Sequence, residues 1–165
     1  MQTNQQLYDF TKSSTGDWEV EDDTVMGGKS SGHYTVTNEG HGRFYGHVSL
    51  ANDGGFSSVQ RTFPDVITVS DSAKAFQIHV KGDGENYTLR VQSAEENEYL
   101  HEASFPTSGK WETVEIFFSK MKAMHHGEPV DVPNYGGGQV YKLQLMIGNK
   151  KEQDFEILVD WIGAA

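Results

Sequence analysis

Trp18 to Ser31 reads WEVEDDTVMGGKSS, and Asn52 to Phe56, NDGGF, restates its chemistry about thirty residues later. Each run sets carboxylate or amide side chains directly beside a pair of glycines. Glycine loses the most backbone freedom on ordering, so a diglycine suits neither a helix interior nor an ordinary strand. Both runs read as shaped loops, expected to meet at one end of a β domain and to fix how its strands are laid down.

Around them the chain is a series of short strands punctuated by turns. Leu7-Tyr8-Asp9-Phe10 reads as an opening strand, followed by a Ser/Thr/Gly loop from Thr11 to Asp17. His33 to Thr37 and Gly42 to Leu50 read as strands about a turn at Asn38-Glu39-Gly40. Phe56 to Phe63 is a strand that Pro64, lacking an N–H, is expected to close. Phe76 to Lys81 and Tyr87 to Gln92 both alternate apolar and polar residues. The Gly82-Asp83-Gly84-Glu85-Asn86 connection reads as a tight turn pairing them as a hairpin. In that hairpin Gln77, His79, Lys81, Thr88, Arg90 and Gln92 would share one polar face.

Tyr99 to Phe105 and Trp111 to Phe118 are further strands. In the second, Val114, Ile116 and Phe118 take the core side, and Trp111, Thr113, Glu115 and Phe117 the other. Val140 to Ile147 and Phe155 to Ile162 close the chain. Tyr141, Leu143, Leu145 and Ile147 are expected inside, with Phe155, Ile157 and Val159 against them. Ser119 to Gly138 lacks regular periodicity, and excursions of that length are uncommon and often functional. It is the first place to look for a lid or binding loop.

About eight to ten short strands, 18 glycines and no amphipathic helix point to an all-β fold. A jelly-roll β-sandwich is favoured over a lipocalin-like barrel, because the loops are uneven and the last strand is apolar enough to be central. Residues 1–165 are expected to form one domain with one core. The absence of cysteine excludes disulfides and thiolate metal sites. The N-terminal MQTNQQLYDF has neither a basic nor an apolar leader pattern, and no long apolar run follows. The expectation is a cytoplasmic protein with no membrane insertion. A net charge of −11 disfavours nucleic acid and anionic lipid, leaving a partner that is neutral, cationic or held through local geometry.

The site candidates divide between sharp and plain readings. Asp22, Asp23, Asn52 and Asp53 can supply oxygen ligands to a hard cation or cap the N–H groups of their own loops. Capping is favoured, because no EF-hand spacing fixes six ligands. Asp160 can join either arrangement. Gly82-Asp83-Gly84 precedes a strand and not a helix, so it reads as a turn and not a phosphate cradle. His125-His126 lacks a third ligand at metal spacing. Ser57-Ser58 lacks a nucleophile elbow. Trp18 and Trp111 read as core or rim packing, and Tyr135, beside Gly136-Gly137-Gly138, as an exposed contact.

In sequence order, Trp18, Asp22-Asp23-Thr24-Val25-Met26-Gly27-Gly28-Lys29-Ser30, Phe44 to Leu50, Asn52 to Val59, Gly82-Asp83-Gly84, Trp111 and Phe155 to Ile162 resemble the CIA30 family. That family takes its name from the mitochondrial complex I intermediate-associated protein of 30 kDa. The resemblance implies a galactose-binding-domain-like β-sandwich and, for the mitochondrial members, a role in respiratory-complex assembly. It also implies a small stand-alone bacterial member. Where the family often carries Arg-Gly in the long loop, this chain has His126-Gly127.

The leading expectation is a non-catalytic binding or assembly module acting through a protein partner, with a carbohydrate-binding domain as the alternative and a small-molecule enzyme third. The candidate binding set is Asp22, Asp23, Met26, Asn52, Asp53, His79, Lys81, Arg90, Tyr135 and Gln144. No catalytic residue, metal or cofactor is assigned.

Overall fold

The computed structural model describes residues 5–12, 15–23 and 27–165, without the side chains of Thr15 and Asp53. In chain order the strands are β1 (Gln5–Asp9), β2 (Glu19–Asp22), β3 (Ser31–Val36), β4 (Gly42–Val48), β5 (Ser57–Thr68), β6 (Ala75–Lys81) and β7 (Tyr87–Gln92). They continue with β8 (Leu100–Phe105), β9 (Trp111–Phe117), β10 (Lys122–His125), β11 (Glu128–Pro129), β12 (Gln139–Ile147) and β13 (Gln153–Ala164). The only helical pieces among the described residues are short 3₁₀ turns such as Phe118–Lys120.

These strands form two antiparallel sheets. One has six strands in the order β3-β4-β13-β6-β9, with β1 added beside β13; the other has seven in the order β11-β10-β8-β7-β12-β5-β2. The result is the jelly-roll sandwich that the strand pattern predicts. Alternation sends Phe44, Phe76, Ile78, Val80 and Ile157 inward from the six-stranded sheet, and Tyr87, Leu89, Val91, Leu143 and Ile147 inward from the seven-stranded one, none of them more than 1% exposed. Burying each such side chain stabilises the fold by roughly 1.5–3 kcal/mol. The closing strand β13 is central, pairing with β4 and β1 along one edge and β6 along the other.

Four expectations need correction. The strands β6 and β7 are not a hairpin: β6 pairs with β13 and β9, whereas β7 pairs with β12 and β8, in the other sheet. The Gly82–Asn86 connection carries the chain across the sandwich. Asp83 holds it there, accepting from Glu85 N, from the Tyr87 hydroxyl and from Glu156 N on β13. Period-two alternation fixes which residues share a face but not which strand lies alongside.

Second, Pro64 does not end its strand. β5 runs on to Thr68, and the proline falls where the ladder to β12 is interrupted, between Thr62 opposite Lys142 and Ile67 opposite Val140. A missing N–H costs nothing at such an irregularity. The same irregularity changes the core set. Val140 is fully buried while Tyr141 is only partly so, and Leu143, Leu145 and Ile147 are inside as expected.

Third, Ser119 to Gly138 is not structureless. It forms β10 and β11, which extend the seven-stranded sheet beyond β8. Fourth, Tyr135 is buried at 4% exposure. Its ring stacks on Phe76 at 5.5 Å and meets Phe118 edge-on at 4.9 Å, and its hydroxyl donates to Gln139 O at 2.8 Å. Burial pushes the Tyr135 hydroxyl pKa well above its ordinary value.

Candidate functional site: a polar cleft on the seven-stranded sheet

The outward face of the seven-stranded sheet carries a continuous polar row. Gln60, Gln144, Arg90, Glu102 and Lys122 lie side by side on β5, β12, β7, β8 and β10. Gln144 is 6% exposed although it points away from the core. It is held by its neighbours, its amide donating to Ser58 Oγ at 3.2 Å and Gln60 Oε1 at 3.1 Å, while its oxygen accepts from Arg90 Nη1 at 2.9 Å. Arg90 Nε lies 3.3 Å from Glu102 Oε1, an ion pair whose angle does not make a hydrogen bond. Burial lowers the Arg90 pKa, with Glu102 and Glu21 opposing the shift.

One row over, Lys142, Gln92, Leu100 and Met124 lie across β12, β7, β8 and β10. Between the rows and the loop after β7 opens a cleft of about 180 Å³. Polar groups of Arg90, Gln92, Asn97 and Lys142 line it, together with the rings of Tyr99, His125 and His126. The loop wall is built by Gln92, whose amide donates to the carbonyls of Ala94, Glu95 and Asn97. The opposite wall is the end of β10. There His125 Nδ1 meets the Glu98 carbonyl, and the two histidine rings stack at 4.0 Å. His126 takes a positive φ of 49°, which turns the chain into β11.

The acidic diglycine loops do a different job. Asp23 is fully buried. Its carboxylate accepts from Ser30 N at 2.9 Å and Ser30 Oγ at 2.6 Å in its own loop, and from Gly55 N at 2.6 Å and Phe56 N at 3.3 Å in the second loop. The two loops therefore meet, and one side chain joins them. Gly28 and Gly54 make room for it, since a Cβ at either position would come within 2.4 Å of the Asp23 carboxyl group. Burial pushes the Asp23 pKa up, but the Ser30 hydroxyl and the N–H groups of Gly55, Ser30 and Phe56 outweigh it and hold the pKa below the ordinary carboxylate value. Asp22 accepts from Gly32 N at 2.9 Å and from the Ser57 hydroxyl. Asp23 is thus a loop cap, whereas Asp22 ties the end of β2 to the starts of β3 and β5. Asn52 is exposed, with a positive φ of 55°. Met26 lies outside the described residues, and the Asp53 side chain is not described.

The family model for Complex I intermediate-associated protein 30 (CIA30) matches residues 8–159, spanning both diglycine loops and the cleft. The chain belongs to the CIA30 family. No curated protein matches it at the sequence level. Solved structures similar to this CIA30 domain include the family 11 carbohydrate-binding module of a cellulosomal cellulase of Clostridium thermocellum, at TM-score 0.67 and 16% identity over 98% of this chain and 94% of that one. The same module in complex with a β-1,3-1,4-mixed-linked tetrasaccharide superposes at TM-score 0.66 and 15% identity, covering 99% and 96%. The agarase AgWH50C matches at TM-score 0.66 and 13% identity, over 99% of this chain and 25% of the enzyme. At these identities the likeness is one of fold.

The CIA30 domain splits the remaining site candidates between its two outer faces. Arg90 and Gln144 belong to the cleft face. His79 and Lys81 lie on the outer face of the six-stranded sheet, because β6 and β7 sit in different sheets. There His79 stacks between Trp161, at 5.8 Å, and Trp111, at 5.2 Å, and bonds Thr113 Oγ1 through Nδ1 at 3.0 Å. His41 touches Trp111 at 4.8 Å and pairs with Asp160, the extra residue of a bulge in β13, so Asp160 joins neither diglycine loop. Trp111 and Phe117, at 36% and 47% exposure, mark this face along the edge strand β9.

Sequence reasoning left Lys142, Asn97 and Met124 out of the site, and named Gln92 only as part of the polar face of the expected hairpin. Alternation with Leu143 and Leu145 already sends Lys142 outward, but only the pairing of β12 with β7 shows that it faces Gln92 and the cleft. His125 and His126 had a signal, weighed only as metal ligands, and Tyr99 one as an aromatic at a strand end. Among the described residues no group of three His, Cys, Asp or Glu is arranged to hold a metal. Nor is any helix there long and apolar enough to cross a membrane.

Proposed function

We propose that this CIA30 domain is a non-catalytic binding module that holds a saccharide in the cleft of the seven-stranded sheet. The observation that carries the reading is the cleft's make-up: a space of about 180 Å³ lined by the polar residues Arg90, Gln92, Asn97 and Lys142 together with the aromatic residues Tyr99, His125 and His126. Ring faces that accept a sugar's C–H surface, beside fixed donors and acceptors for its hydroxyls, are what such a ligand requires. The complex of a family 11 carbohydrate-binding module with a tetrasaccharide lends support at the level of fold.

A second reading, a protein partner in respiratory-complex assembly, draws on the family name and on Trp111 and Phe117 exposed along β9. Large exposed aromatics are common anchors of protein interfaces. Amide chemical-shift mapping with neutral and acidic oligosaccharides separates the two. The expected result is a set of shifts confined to Arg90, Gln92, Tyr99, Leu100 and Lys142. Silence across the whole panel, together with a captured protein that protects β9, would overturn the saccharide reading in favour of the partner.

A further inference from the structure

We propose that the cleft is selective for an acidic saccharide and seats one hexuronate unit of it, whose single carboxylate is received by Lys142. The inference rests on the saccharide reading and adds the charge of the ligand. The charged lining of the cleft consists of Arg90, Lys142 and Glu98. Arg90 already has a counter-ion in Glu102, at 3.3 Å. Glu98 is exposed at the rim, where its backbone carbonyl is taken by His125. Lys142 is different: it is half-buried and, among the described residues, its ammonium makes neither an ion pair nor a hydrogen bond. One cation without an ion pair in a partly desolvated cleft matches one carboxylate.

The environment supports this on two counts. Burial lowers the Lys142 pKa first, Glu21 opposes the shift without forming an ion pair, and the Arg90 charge lowers it further, so an incoming carboxylate at contact distance offsets the cost of burial. Lys142 is also the one lysine that is not exposed: the others, paired or not, lie in open solvent where a counter-charge matters little. The excess of a single charge favours a carboxylate over a doubly charged phosphate. Arg90, Gln92 and Asn97 line the cleft beside Lys142 and Tyr99 and His125 flank it; with the Gln92 and Asn97 amide nitrogens bonded within the loop, their side-chain oxygens are the groups left to accept from ring hydroxyls.

The test titrates the intact protein, by calorimetry and amide shifts, with trimers of galacturonate, mannuronate and guluronate and with the methyl ester of each. Esterification removes the charge and keeps the rings. At least one free acid is expected to bind about ten- to a hundredfold more tightly than its ester, the effect of one hydrogen bond to a charged group. Lys142→Gln should erase that preference, so that the acid and the ester of each trimer bind the variant alike. If acids and esters bind equally in the cleft, the saccharide reading stands and the charge selectivity is overturned. If no trimer binds, both fall. Inorganic phosphate titrated alone is expected to leave the Lys142 amide unmoved. Phosphate binding as tightly as the acids would replace the hexuronate with a bare oxyanion and overturn the proposal.

Discussion

Replacing Asp23 by alanine should be among the most damaging single changes available to this domain. Three of the four hydrogen bonds to its carboxylate are 2.9 Å or shorter, from Ser30 N, Ser30 Oγ and Gly55 N, and the fourth, from Phe56 N, is 3.3 Å. Hydrogen bonds to a charged group contribute about 1.5–3 kcal/mol each, so the three short ones sum to roughly 4.5–9 kcal/mol. Water entering the vacated site and loop relaxation recover part of that. A net loss of about 3–5 kcal/mol is expected, comparable to stripping one partner from a buried ion pair. At this chain length the melting temperature should fall by roughly 6–20 °C.

Urea unfolding followed by circular dichroism measures the loss, with an unchanged slope confirming that the native state is otherwise intact. The pH profile supplies a separate check. Because the folded pKa of Asp23 lies below the ordinary value of 3.8, its contribution is complete above that value and is lost as pH falls from 3.8 through the folded pKa. The stability gap between wild type and Asp23→Asn should therefore narrow only on that acid limb. A loss under about 1 kcal/mol for Asp23→Ala, or a gap that narrows instead toward alkaline pH, would refute the view that this carboxylate joins the two loops.

Three further outcomes are expected. Gly54→Ala drives a methyl group to 2.4 Å from Asp23 Oδ2 and should cost about 1–3 kcal/mol in urea unfolding, whereas Gly84→Ala, with no atom within 4 Å, should lose only the positive-φ preference, about 1 kcal/mol. Tyr135→Phe removes the hydroxyl that donates to Gln139 O and should cost about 1 kcal/mol, against roughly 3–5 kcal/mol for Tyr135→Ala, which empties the space beside Phe76 and Phe118. Because the folded pKa of Lys142 is lowered, its charged form opposes folding at neutral pH and ceases to do so as pH rises through that pKa toward 10.5. Lys142→Gln should thus be slightly more stable than wild type at pH 7, by under about 1 kcal/mol after solvent screening, and the difference should close in alkaline solution.

What could be read from the chain depended on how far each feature acts along it. The diglycine loops were legible because Asp23, Gly28 and Gly54 advertise themselves locally, and their meeting followed from composition and order. The faces of β6, β7 and β9 were legible because alternation is a property of one strand. Neighbourhood is not, and so His79 and Arg90 were assigned to one surface although β6 and β7 belong to opposite sheets. Tyr135 misled for a related reason. Its triglycine neighbour suggested an exposed tip, but Gly137, at φ +85°, packs against the Phe118 ring and lets the chain fold Tyr135 inward.

The contrast between Asp23 and Lys142 separates a side chain kept for the fold from one kept for a ligand. Both lie in segments whose geometry departs from a plain strand, and both carry a charge that burial opposes. Asp23 meets that cost within the chain: its oxygens receive four donors, and the packing of two loops is arranged around them. Lys142 does not. Its ammonium sits in a cleft beside a second cation, and a neutral residue of the same length would relieve both the burial and the repulsion. Glu21 offsets that cost only from beyond ion-pair distance, whereas a carboxylate arriving in the cleft would meet the ammonium directly.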